Sequence, residues 1–303
     1  MLENRSLNQP GAMPSTPGAP TSVRTSSGRT GMRARRPSAI GRRLGYVFHT
    51  AVYAFMLCPL FFVVWMSFFR DAIPSFPPSG YTLDWYVRAW RTPAFADGFL
   101  FSLRIALIAA SIGVLAGVGA AFGLVRFRFR GAQTLRVILM MPLLIPGIVA
   151  GVAIYLFYLR AENYFDVDIL GSTTSLVLAH VCLTLPWTLR LVTAGLSSAD
   201  LSIEEAARNL GANSWTVFRR VTLPMLRPSL IASFLFSFIV SFENLEVSLP
   251  LVGAGVTTLP IAVMQYLEFN LDPTIAAVAA VQVILLGIVM LITDRFVKLS
   301  QVI

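Results

Sequence analysis

Six apolar runs organise the chain, at about 46–68, 99–124, 135–159, 174–194, 228–250 and 275–293. Runs of this kind reach the roughly 20 residues a helix needs to cross a bilayer. They predict an all-α, polytopic membrane protein with six transmembrane helices. One polar insert stands out between the fourth and fifth runs, Ser202–Pro224. Ser202 and Glu205 have the S-x-x-E spacing of a capping box, in which each side chain satisfies a free backbone N–H of the first turn. Ile203, Ala206 (or Ala207) and Leu210 share a helical face. Gly211 stands where a residue of positive φ ends a helix. Ser214 is placed to cap a second short helix, Trp215 to Arg220, which Pro224 stops. The local physics therefore predicts two short helices joined at a glycine and lying at a membrane surface.

Smaller signals refine the spans. Gly113-x-x-x-Gly117 and Gly119-x-x-x-Gly123 in the second are small-x-x-x-small pairs that let helices approach closely. Pro142 and Pro146 favour a static kink in the third. Asp272-Pro273 reads as N-cap and first residue of the sixth. Trp85, Tyr86 and Trp90 suit a segment lying at the membrane–water interface. Cys58 and Cys182 lie inside apolar runs without metal or redox spacing, and are expected as small core residues. His49 and His180 are expected to hydrogen-bond neighbouring helices.

Charge orients the array. Of the basic residues outside the spans, eighteen fall in the N-terminal tail, the loops near 125–136 and 195–227, and the C-terminal end, against four in the alternate loops. The positive-inside rule places both termini and the Glu205 loop in the cytoplasm. The net charge of +9 is thus explained by topology, and nucleic acid is not an expected partner. Residues 1–43, rich in Pro, Ser, Gly, Thr and Arg, are expected to be a disordered cytoplasmic tail, leaving 44–303 as the transmembrane domain. Arginines of the tail near the first span are read as a topogenic anchor, with contact to anionic membrane lipid as the alternative. The first apolar run starts too late and is too long for a cleavable signal peptide.

Glu205-Ala206-Ala207, then Gly211, then Val221-Thr222-Leu223-Pro224, resembles the EAA loop of the membrane subunits of ABC importers, with Val221 where Ile is usual. The resemblance covers roughly 46–300 and implies the type I ABC importer permease fold in a bacterial inner membrane. It also implies separate ATPase subunits that dock on this loop, a second permease subunit and an extracytoplasmic solute-binding protein. Within that family the chain is similar to the second permease of spermidine/putrescine-type systems. The residues that suggest it are Phe76–Tyr86, Ser241-Phe242-Glu243-Asn244, Thr258-Leu259-Pro260 and Asp272–Ala277. It departs in its long Arg-rich tail and in Glu243-Asn244, where two acids often stand together.

The resemblance assigns ATPase coupling to Glu205, Ala206, Ala207, Gly211, Leu223 and Pro224. The chain itself has no P-loop, because its only lysine, Lys298, follows Val297. It is therefore expected to be a transport subunit rather than an enzyme, binding no cofactor, with ATP used by the partner. Glu243 and Glu246 are the acids within a predicted span interior, three residues apart on one helical face, with Asn244 beside them. An ionised group there costs about 2.5–3.5 kcal/mol unless it faces water or a partner. The expectation is a solute path along the fifth span that favours a cationic, polyamine-type solute. The alternatives are an ion pair with an arginine, or a break in the span near Glu243. A permease of the same family for another small solute is the runner-up. A secondary transporter would be expected to show related halves, and no repeat is visible.

Overall fold

The computed structural model describes residues 39–73 and 75–297; the tail expected to be disordered lies outside it as far as residue 38. Among the described residues eleven α-helices run in order: α1 Ala39–Met66, α2 Asp84–Arg91, α3 Pro93–Arg126, α4 Ala132–Met140, α5 Gly147–Phe165, α6 Thr173–Ser198, α7 Leu201–Asn209, α8 Ser214–Val217, α9 Leu223–Phe242, α10 Leu259–Phe269 and α11 Thr274–Val297. Among the described residues the extended contacts are two isolated bridges, Phe69 with Tyr81 and Gly171 with Val252. Two units divide at Val52 and Tyr53. In the first, Tyr46 to Val52 of α1 are exposed. The second unit holds everything that follows.

In the second unit α3, α6 and α9 form the centre, and α10 and α11 lie against α3 and α9. Hydrocarbon does not drive apolar helices together, so close packing and interhelical hydrogen bonds must. Both are present. Gly113 of α3 meets Thr184 of α6, Gly117 meets Thr188, and Gly195 of α6 meets Ser229 of α9. Thr188 and Ser237 hydroxyls bond at 3.1 Å. His180 is buried and bonds Ser241 at 2.7 Å and Ser248 at 3.1 Å, as expected of a histidine between helices. His49 instead bonds the Gly45 carbonyl one turn back in its own helix. Gly119 and Gly123, the other small pair, have no heavy atom within 4 Å of an added Cβ.

Among the described residues five helices are long and apolar enough to cross a membrane, and a bent pair, Ala132–Leu143 with Gly147–Phe165, makes six where the two count as one span. The span expected at 135–159 with a kink is two helices bent by 108°. Pro142 lies in a 3₁₀ turn, Met141–Leu143, that ends α4. Pro146 is extended at ψ 134° and precedes α5, so the chain turns a corner where a kink was expected. A second difference is the end of the fifth span. The expected 228–250 helix stops at Phe242, although apolar residues continue to Leu251. Both cysteines are exposed rather than in the core. An apolar run satisfies lipid and core equally, so composition could not place them.

Aromatic residues of α2 tie it to Ser67 and Phe69, just after α1. Trp85 Nε1 donates to the Phe69 carbonyl at 2.6 Å, and Tyr86 Oη lies 2.6 Å from Ser67 Oγ. Their polar tips meet protein, and Trp90 is the exposed one of the three. Asp272 caps the next connection as expected, with α11 starting one residue later than read, at Thr274. Its carboxylate accepts from the Thr274 N–H at 2.9 Å and from Tyr266 Oη at 2.9 Å, and lies 3.4 Å from Arg88. Burial alone would raise its pKa, but hydrogen bonds from Thr274 and Tyr266 and the Arg88 guanidinium outweigh that and hold it below the usual value. A depressed carboxyl pKa contributes stability that is present above about pH 4 and lost as pH falls through the lowered value. Asp272→Ala is expected to lower stability by about 1–2 kcal/mol, and Asp272→Asn by less, because the amide oxygen still caps. Thermal unfolding of the detergent-purified protein measures this; an unchanged midpoint in Asp272→Ala would remove the cap assignment.

Candidate functional site

The Ser202–Pro224 insert folds into two short helices about a glycine, with different caps from those expected. Asp200, not Ser202, is the N-cap of α7: its carboxylate accepts the Ser202 N–H at 2.9 Å. That bond and one from the Ser202 hydroxyl lower the Asp200 pKa. The helix starts at Leu201, one residue ahead of the expected cap, so Ser202 and Glu205 do not form a capping box. Gly211 does end α7. At φ +86° its N–H bonds the Arg208 carbonyl at 2.9 Å, and the Ala212 N–H bonds Ala207 at 3.1 Å. Together these are the paired closing bonds of a Schellman turn. Asn213, not Ser214, caps α8, accepting from the Thr216 N–H at 2.8 Å.

Pro224 does not stop the second helix. From Ser214 the chain stays helical to Phe242, passing through a π turn at Phe218–Thr222. Pro224 falls in the first turn of α9, where a missing N–H is tolerated. The widened turn carries the chain past it: the Leu223 N–H reaches back to the Phe218 carbonyl.

The side chains of α7 divide by face in a way the sequence did not show. Ile203, Ala206 and Leu210 are exposed, Leu210 at 89%, and Trp215 of α8 is exposed at 65%. Glu205 is exposed on the same short helix. The buried residue of α7 is Glu204, at 3% exposure. Its Oε1 accepts from Arg126 Nη2 at 2.5 Å and from Thr222 Oγ1 at 3.0 Å, and its Oε2 lies 3.5 Å from Arg208 Nη2. Glu204 escaped the sequence reading because it adjoins the more obvious Glu205. The available signal was the Glu204–Arg208 spacing of four, which pairs opposite charges on one helix face.

At the other end of α9 the chain leaves the helix. Glu243 is its C-cap residue, at φ −88° and ψ 3°. Glu243 and Glu246 therefore do not share a helical face. The break arises where Asn244 turns inward: its Oδ1 accepts the Val247 N–H at 2.9 Å and its carbonyl accepts from Ser248 Oγ at 2.7 Å. These local bonds compete with continued helix. Both carboxylates are exposed on this chain. Glu243 accepts a long bond from Gln282 of α11 at 3.4 Å. Glu246 covers Gly147, the first residue of α5, where an added Cβ would collide with its carboxylate. The positive end of the α5 dipole is a favourable place for that charge.

Residues 112–299 match a family described as binding-protein-dependent transport system inner membrane component. The chain is 29% identical over 238 residues to the spermidine/putrescine transport system permease protein PotC of Haemophilus influenzae, covering 78% of this chain and 90% of that protein. It is 31% identical over 238 residues to the putrescine transport system permease protein PotI of Escherichia coli K12, covering 78% and 84%. Among solved structures, a chain of a bacterial ABC transporter involved in the import of the acidic polysaccharide alginate superposes with a TM-score of 0.63. It is 18% identical, and the match covers 86% of this chain and 98% of that one, a likeness of fold.

Proposed function

Since this chain belongs to the family of binding-protein-dependent transport system inner membrane components, we propose that α7 and α8 are the docking point for a separate ATPase subunit, and that the spans line part of a path for a small cationic solute of polyamine type. The chain is a multi-pass membrane permease subunit of an ABC importer, and its task is transport. One observation carries the docking reading. α7, capped at its start by the Asp200 carboxylate and closed at its end by the Gly211 turn, presents Glu205 and Leu210 outward and buries only Glu204, and Trp215 of α8 is exposed beside it in sequence. A short helix that leaves its apolar residues uncovered fits a partner surface better than the chain's own core. The family resemblance assigns Glu205, Ala206, Ala207, Gly211, Leu223 and Pro224 to this coupling. Leu223 and Pro224 act from the first turn of α9 rather than from the exposed helix.

The excess of arginine on the α7 side supports a cytoplasmic placement of this loop and of both termini. ATP is then bound and hydrolysed by the docked partner. A second permease and an extracytoplasmic binding protein complete the importer we propose, in a bacterial inner membrane.

The polyamine reading rests on the named relatives and on the exposed carboxylates of Glu243 and Glu246 at the far end of α9. Asn244 serves the path indirectly, since its side-chain oxygen is used in holding the turn. The test is uptake of radiolabelled putrescine and spermidine by proteoliposomes carrying the assembled system. Glu243→Gln is expected to raise the half-saturating concentration about tenfold, the effect of losing one charged contact to a cation. Glu246→Gln is expected to act less, because its carboxylate also faces the α5 terminus. Undiminished uptake in both variants would remove the path role and favour a permease for a different small solute.

A further inference from the structure

We propose that Glu204 is the positioning residue that makes α7 move as one body with the ends of α3 and α9. The proposal rests on α7 being the ATPase dock, but concerns the opposite face of the helix. Groups from two other segments and one from α7 itself converge on one buried carboxylate. Arg126 is the last residue of α3, seventy-eight residues before Glu204, and donates at 2.5 Å. Thr222 closes the π turn that feeds α9 and donates to the same oxygen at 3.0 Å. Arg208, one turn along α7, faces the other oxygen at 3.5 Å. The Glu204 and Arg126 side chains are 4% and 19% exposed, so neither charge has ready access to water.

That geometry sets the mechanics. A buried pair contributes little net stability, but separating its members is costly, because each leaves an uncompensated charge. Sliding α7 away from α3 would strand Arg126, and sliding it away from α9 would strand the Thr222 hydroxyl. The α7 backbone has few other ties inward, since Glu204 is its single buried side chain. A push on the exposed face therefore reaches α3 and α9 together through this carboxylate. Coupling between sites needs such a physical connection between elements that move. The π turn adds a place where α9 can yield: its widened ring holds no strict helical register between Phe218 and Leu223.

The test reads the linkage directly and does not depend on the solute. Spin labels are placed at Ser202→Cys on α7 and Arg128→Cys just after α3, both exposed, with Cys58 and Cys182 replaced by Ser. Label-to-label distances are measured in the purified protein and in the complex with its ATPase subunit, with and without ATP. The native background is expected to give one narrow distribution that nucleotide does not shift. Glu204→Gln is expected to broaden it about twofold, and Glu204→Gln with Arg126→Gln to recover part of the narrow population, because no buried charge is then left unpaired. Thr222→Val keeps the ion pair and checks the α9 arm: with the second label moved to Met225→Cys, its distribution is expected to broaden. A Glu204→Gln distribution as narrow as the native one, or a native distance that shifts with ATP, would overturn the proposal. Co-purification of the ATPase subunit with Glu205→Ala is measured alongside. Retention at the native level counts against the docking reading alone, whereas loss of the subunit in Glu204→Gln but not in Glu205→Ala counts against the division of roles drawn here.

Discussion

Gly117→Leu is expected to prevent accumulation of folded protein, whereas Gly119→Leu, two residues on, leaves it intact. A Cβ at Gly117 would lie 2.5 Å from Thr188 Cγ2, 2.7 Å from Thr188 Cβ and 3.4 Å from the Leu189 backbone nitrogen. Thr188 cannot swing away, because it is fully buried and its hydroxyl bonds Ser237 of α9. A methyl group at Gly117 must therefore part α3 from α6, the pair in most extensive contact in the centre. Overpacking of this sort costs about 1–3 kcal/mol for a small group, and a leucine exceeds that. Gly113 is in the same position against Thr184, whose Oγ1 would be 2.5 Å from the new Cβ. At Gly119 and Gly123 nothing lies within 4 Å. Alanine there removes the backbone freedom of glycine and should be neutral or stabilising by up to about 1 kcal/mol. Yield of monodisperse protein by size-exclusion chromatography, with thermal midpoints for the alanine series, separates the two pairs. Equal tolerance at Gly117 and Gly119 would mean that α3 and α6 do not meet as described.

Those two glycine pairs also mark what can be read from the chain alone. Small-x-x-x-small spacing was visible twice in the second span, but among the described residues one pair, Gly113 and Gly117, faces another helix and the other does not. Spacing reports a face, and not what lies opposite it. The same holds for acids. Glu204 and Glu205 are neighbours of the same chemistry, and the buried one is the one that meets Arg126 at the end of α3. Span positions were legible because hydrocarbon imposes length and composition, and Gly211 and Asp272 were legible because caps are local chemistry. The fifth span was overrun because apolar residues continue past Phe242, whereas Asn244 ends the helix through side-chain bonds that hydropathy ignores. Pro146 signalled a bend in the third. Past the 108° bend, α5 packs on the 246–250 segment, where a Cβ added at Gly151 would lie 2.9 Å from the Glu246 carbonyl oxygen and 3.0 Å from Pro250. No local pattern contains that meeting.

Gly211→Val is expected to cut solute uptake about tenfold or more while the permease still assembles in the membrane, the loss following from a coupling energy of ordinary size. The backbone at Gly211 sits at φ +86°, and no heavy atom lies within 4 Å of an added Cβ. Space is therefore not the obstacle. The left-handed conformation itself costs an ordinary L-residue about 1–2 kcal/mol, and a β-branched one more. Valine is expected to relax by abandoning the turn, which releases the Gly211 and Ala212 N–H groups from the Arg208 and Ala207 carbonyls. The end of α7 then frays, and Leu210 and Glu205 lose their fixed placement relative to Trp215 on α8. Asparagine tolerates the left-handed region, so Gly211→Asn should retain most of the native rate. That ordering, native above Asn well above Val, distinguishes a conformational requirement from a need for a small residue, which would penalise Asn and Val alike. Because no heavy atom packs within 4 Å of an added Cβ at Gly211, thermal midpoints of the purified permease should change little across the series. ATP hydrolysis by the docked subunit, stimulated by binding protein and putrescine, should fall together with uptake. Native coupling in Gly211→Val would show that the ordered glycine turn is dispensable, and the docking role of α7 and α8 would fall with it.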